Sequence, residues 1–159
     1  MCADIVAIGG GGFSEGSEPG IDEYLLTLCD APRPAIGFIA TASGDADRYL
    51  VKFYSQFSRL DCHPSHLPLF ARTPDIGDWL QRQDIVFVGG GNTKSMLAVW
   101  DAWNLPQLLK TALDAGKVLA GISAGAICWF DAGVTDSFEG RLQALDCLGF
   151  ISGSCCPHY

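Results

Sequence analysis

Short runs rich in valine and isoleucine alternate along the chain with longer segments in which apolar residues recur every three or four positions. The first pattern predicts buried strands, the second amphipathic helices. Strands are expected at residues 4–9 ("DIVAIG") and 35–41 ("AIGFIAT"), in "DIVFVGGGNT" and in "KVLAGIS", with a weak, proline-broken strand in "HPSHLPLF". A helix is expected at residues 21–29, where Ile21, Leu25 and Leu28 share a face and Pro19 sits near the start. Another is expected at residues 46–60, with Tyr49, Leu50, Phe53 and Phe57 inward. "TKSMLAVWDAW" and "LPQLLKTALDAG" read as two more, the second ended by Gly116, and "AGAICWF" begins a last one. Strand and helix in alternation predict a mostly parallel sheet covered on both faces, a three-layer α/β/α architecture. No repeat, low-complexity tract or linker divides the chain, so residues 1–159 form one domain. Ligands of such sheets bind beyond the carboxyl ends of the strands. Residues 9–12, residues 89–93 and Ser123 fall there.

Composition narrows the function classes. Apolar residues are 48% of the chain and charged residues 18%, which rules out a disordered chain. A net charge of −8 with no basic run would repel nucleic acid and anionic membrane surfaces. No apolar run reaches membrane-spanning length, and the N-terminus reads as a strand rather than a signal peptide, so a cytoplasmic protein is expected. Seven scattered cysteines fit reduced thiols better than a disulfide framework. Cys62, His63 and His66 in "CHPSH" lack a second ligand pair at zinc-like spacing, so no metal is expected.

The glycine loops do not fit nucleotides. No window gives G-x-G-x-x-G, and "GGGNTKS" has Thr93 where a P-loop needs glycine. What Gly89, Gly90 and Gly91 do offer is exposed backbone, whose N–H groups can approach an anion closely. A tight turn would explain one or two of the three glycines. Gly121-Ile122-Ser123-Ala124-Gly125, between a buried strand and a helix, has the nucleophile-elbow pattern Gly-x-Ser-x-Gly. The N–H of Ala124 then opens the helix and faces a developing negative charge. A serine needs a base. Of the three histidines, His63 and His66 read as surface residues, and His158 in "CCPHY" is the best base.

"FVGGGNT", "GISAGA" and "PHY", in that order on an alternating α/β pattern, resemble peptidase family S51, which includes aspartyl dipeptidase (peptidase E) and, more distantly, cyanophycinase. "FIATASGD" resembles the family's early loop, and the likeness covers nearly the whole chain. It implies a class I glutamine amidotransferase-like (flavodoxin-like) fold, with serine at an elbow where those enzymes carry cysteine. It implies Ser123 as nucleophile, His158 as base, and Gly91 and Ala124 as the oxyanion-hole residues. In peptidase E-like proteins the triad acid is a glutamate well after the histidine, whereas Tyr159 follows His158 directly. The domain is therefore expected to lack its C-terminal part. Asp136 is the nearby substitute. Its other readings are a loop carboxylate that holds a turn and an anchor for a substrate ammonium.

The expected activity is hydrolysis of short peptides, of dipeptidase or aminopeptidase type, without metal or cofactor and with a homodimer as the expected assembly. Asp45, Asp136 and Glu139 are the carboxylates expected near the site. Aspartate specificity would need a cationic pocket, and Lys94 is the one cation in the three motif loops. The alternative is a catalytically inactive or truncated amidotransferase-like domain for binding or assembly. Cys128, five residues past the elbow in an apolar run, reads as core rather than as a rival nucleophile.

Overall fold

The computed structural model describes residues 4–158. Five parallel strands form the main sheet: β1 (Ile5–Ile8), β2 (Ala35–Ile39), β3 (His63–His66), β4 (Ile85–Val88) and β5 (Val118–Ile122), in the order β1-β5-β4-β2-β3. Alternate residues of β4 point to opposite faces, and each face is covered. Ile85 and Phe87 pack with Phe13, Phe38, Phe53 and Phe57, whereas Val86 and Val88 pack with Met96, Trp100 and Leu109. All four β4 residues are buried, as a central parallel strand requires.

The first face is covered by α1 (Gly12–Glu15), α2 (Pro19–Leu26) and α3 (Asp47–Phe57). Phe13 sits at the centre of their aromatic cluster, its ring centroid 5.1–5.7 Å from those of Phe38, Tyr49, Phe53, Phe57 and Phe87. The second face carries α4 (Ile76–Gln81), α5 (Thr93–Ala102) and α6 (Leu105–Asp114). The hydrophobic pattern did not announce α4, because six residues contain too few turns to display a period. Trp79 of α4 lies over Gly37 of β2, where a Cβ would meet its ring at 2.5 Å.

The segment after β5 departs from expectation. The helix begun by "AGAICWF" is a single turn, α7 (Ala124–Ile127). The chain then enters β6 (Phe130–Phe138), which pairs antiparallel with β7 (Arg141–Asp146) and parallel with β8 (Ile151–Cys155). This second, three-stranded sheet meets the main body at Trp129, whose ring stacks on Phe150 just before β8 and lies against Trp100 of α5, the two indole centroids 6.4 Å apart. A second tie is the Thr93 N–H, which donates to Ser137 Oγ at 2.8 Å. Among the described residues, no helix is long and apolar enough to cross a membrane.

Candidate active site

Because β5 lies between β1 and β4, the loops that follow these three strands are neighbours at one end of the sheet. Ser123 ends β5 with φ 55° and ψ −112°, a conformation that costs a non-glycine residue of order 1–3 kcal/mol and points its side chain away from the strand line. The two flanking glycines make the turn feasible. A Cβ on Gly121 would lie 2.1 Å from the Gly125 carbonyl oxygen, and one on Gly125 would lie 2.2 Å from that of Val88. With no side chains there, α7 packs its backbone directly on β4 and β5.

The serine hydroxyl meets the end of the described chain. Ser123 Oγ and His158 Nε2 are 2.9 Å apart. β8 carries the chain past β6, and Pro157 and a left-handed His158 (φ 60°) turn the ring back over the elbow. With the ring proton on Nδ1, the serine O–H donates to Nε2. Ser123 is half-buried and His158 exposed, so the pair is open to a substrate.

The three glycines after β4 each have a separate reason. A Cβ on Gly89 would meet the Tyr49 ring at 2.8 Å, and one on Gly90 would crowd Ser123 Cβ at 3.3 Å. Gly91 (φ 139°) lies so close to Ala42 that a Cβ would sit 2.2 Å from its carbonyl oxygen. The neighbouring Asn92 N–H donates to that same oxygen at 2.8 Å, and Asn92 Oδ1 accepts from Ser95 N–H, capping α5. The N–H groups of Gly91 and Ala124 have no hydrogen-bond partner among the described residues. Two unpaired donors beside a serine–histidine pair are what an oxyanion hole requires.

Two cavities meet at Ser123 and His158. One, of about 330 Å³, is lined by Arg48, Tyr49 and Lys52 of α3, Ser14 and Glu15 of α1, and Gly90. The other, of about 630 Å³, is lined by Gly91, Thr93, Ile127, Val134, Asp136, Leu142 and Cys156. The sequence reading missed Arg48 and Lys52 by looking for cations only in the motif loops. The available signal was their place in the first turns of α3, since a helix following a parallel strand starts at the sheet's carboxyl edge.

The remaining candidates sort by geometry. Asp136, exposed on β6, shares a cavity with Ser123 and His158 but makes no hydrogen bond or ion pair with the histidine. No carboxylate of the described residues does. Asp45 is turned elsewhere, its Oδ2 accepting from the N–H groups of Leu69 and Phe70, and neither cavity at Ser123 includes it or Glu139. Cys128 is fully buried, its Sγ donating to Gly125 O, and burial pushes its thiol well above the ordinary range, the reverse of an activated nucleophile. His66 Nδ1 bonds Tyr54 Oη at 2.8 Å and Cys62 Sγ bonds Phe57 O. Among the described residues no three His, Cys, Asp or Glu side chains are grouped to hold a metal.

The model of the family described as Peptidase family S51 matches residues 5–159. A Bacillus subtilis (strain 168) protein named "Uncharacterized peptidase YgaJ" is 49% identical over 157 residues, covering 98% of this chain and 68% of its own length. A Pasteurella multocida (strain Pm70) protein named "Uncharacterized peptidase PM1590" is 31% identical over 112 residues, covering 67% of this chain and 53% of its own length. The crystal structure of a peptidase from an acI-B1 Actinobacterium superposes with a TM-score of 0.71 at 19% identity, covering 92% of this chain and 64% of that one. The fold is the class I glutamine amidotransferase-like one, a parallel sheet between two helical layers.

Proposed function

Because the chain belongs to peptidase family S51, we propose that it is a serine peptidase that hydrolyses short peptides. The observation that carries this reading is the 2.9 Å contact between Ser123 Oγ, on a strained elbow, and His158 Nε2. In the proposed reaction Oγ attacks the peptide carbonyl while Nε2 takes its proton. The oxyanion that forms is held by the N–H groups of Gly91 and Ala124. The histidine then passes the proton to the departing amine, leaving an acyl-serine. Water, deprotonated by the same nitrogen, releases the acid and restores the serine. Nucleophile, base and donors all come from the chain itself, so the reaction draws on no metal or cofactor.

Charge around the serine supports a short, charged substrate. Asp136 in the larger cavity suits a free amino terminus, and Arg48 and Lys52 in the smaller one suit a carboxylate. That is the reason to place the activity among dipeptidases or aminopeptidases, acting on cytoplasmic peptides. The acid that would orient His158 is proposed to lie outside the described residues.

The lack of a carboxylate partner for His158 among these residues favours a second reading, a binding or assembly domain with an idle serine. A fluorophosphonate probe and a panel of di- and tripeptides separate the two. Labelling that disappears in Ser123→Ala, together with peptide turnover, supports the peptidase. A wild-type serine that neither labels nor turns over any peptide supports the binding domain.

A further inference from the structure

Residue 49 is a tyrosine where the α3 pattern asks only for an apolar ring, and its hydroxyl is part of a bonded chain that ends at the glycine loop. The ring packs inward, its centroid 5.1 Å from that of Phe38 and 5.7 Å from that of Phe13. The hydroxyl emerges at the floor of the cavity beside Ser123. There it accepts from the Gly90 N–H at 3.1 Å and pairs with Ser14 Oγ. One turn further along α3, Lys52 Nζ donates to the Ser14 carbonyl at 2.9 Å. α1, α3 and the glycine loop are thereby tied through two residues of one helix face.

We infer that Tyr49 is a positioning residue for the oxyanion hole, acting through the backbone of Gly90. This rests on the peptidase reading above. Three consecutive glycines are the least constrained backbone a chain can present, yet a hole works only if its dipoles are already aimed before charge develops. The loop is fixed at both ends. Asn92 N–H is held by the Ala42 carbonyl, and Gly90 N–H by Tyr49. Between these two anchored amides lies the N–H of Gly91, a residue that lines the cavity of Ser123 and His158, and this N–H has no partner among the described residues. The Tyr49 ring also lies against Gly89, so a side chain there would push loop and ring apart. Burial, the larger effect, raises the phenol above its usual range, so it stays a neutral hydrogen-bonding group under the conditions in which a serine–histidine pair works.

The test is Tyr49→Phe, which keeps the ring contacts and deletes only the hydroxyl. Turnover number should fall about three- to ten-fold, the range of one neutral hydrogen bond, with KM changed less than about two-fold, because the hole acts on the transition state. Ser14→Ala, which leaves the Tyr49–Gly90 bond in place, should cost less. Amide hydrogen exchange supplies a readout that needs no substrate. The Gly90 amide should be protected relative to Gly91 in the wild type and should lose that protection in Tyr49→Phe. An unchanged turnover number in Tyr49→Phe, a change confined to KM, or a Gly90 amide exchanging as fast as Gly91 in the wild type would each overturn the inference. Were no peptide cleaved at all, the function would fail while the exchange comparison still decided the role of Tyr49.

Discussion

Replacing Gly125 by alanine tests whether the elbow depends on backbone contact rather than on helix propensity. Propensity alone favours the change, since alanine is better than glycine inside a helix by roughly 1 kcal/mol. The packing opposes it. The new Cβ would lie 2.2 Å from Val88 O, 2.7 Å from Val88 C and 2.9 Å from Val88 Cβ. Two of these are backbone atoms of β4 that cannot rotate aside. Relief requires α7 to lift off the sheet by about 1 Å or β4 to bend, and overpacking of this kind costs about 1–3 kcal/mol. The upper end is expected here. At about 2–4 °C per kcal/mol for a domain of this size, melting should fall by about 6–12 °C. Turnover should fall further than stability, because α7 carries Ser123 and β4 runs directly into the glycine loop. Gly20→Ala is the matched control. That glycine lies in α2 with nothing within 4 Å of a Cβ, so the same substitution should stabilise by about 0.4–1 kcal/mol. Calorimetric melts and initial rates on one peptide measure both variants. A Gly125→Ala protein that melts within about 1 °C of the parent and keeps its turnover would refute the close-packing argument.

Four further outcomes follow from the same geometry. Ser123→Ala and His158→Gln should each remove turnover, and the double variant should be little worse than either, since nucleophile and base act as a unit; multiplying losses would separate them. Asp136→Asn should raise KM for peptides with a free amino terminus but spare N-acetylated ones, whereas a loss in turnover number of about ten-thousand-fold would place it in the triad. Arg48→Gln with Lys52→Gln should weaken binding of a dipeptide more than of its C-terminal amide, and equal effects on both would remove those cations from recognition. Asp22 is buried beneath the Gly12 turn with Oδ1 unpartnered, and burial, outweighing the hydrogen bond from Gln56 and the nearness of the Phe13 N–H, raises its carboxyl above the ordinary 3.8. A raised carboxyl binds its proton more tightly folded than unfolded, so its contribution is complete below that ordinary value and is lost as pH rises through the folded one. Urea unfolding of wild type and Asp22→Asn across that window should show the slope in the wild type alone.

The strands were readable because a buried parallel strand is a short unbroken apolar run, and β1, β2, β4 and β5 are all of that kind. The elbow was readable for a related reason. Gly-x-Ser-x-Gly is a contiguous pattern, and Gly121 is constrained by Gly125 four residues on, so the motif is written in the local sequence, although the contact that requires Gly125 itself is with Val88 of β4. The one-turn length of α7 was not, because "AGAICWF" stays apolar whether it continues as a helix or, as it does, turns at Cys128 into a second sheet. The company of the serine was legible only in part. His158, 35 residues from Ser123, was named as the best of three histidines and from the family resemblance, whereas Arg48, Lys52 and the role of the Tyr49 hydroxyl lie on a helix whose pattern records only which face is buried. Which loop the start of that helix overlooks depends on the strand order β1-β5-β4-β2-β3, and so on how the sheet assembles. Hydrophobic periodicity reports burial one segment at a time, whereas a site at the edge of a sheet is made by the side-by-side arrangement of segments that share no local signal.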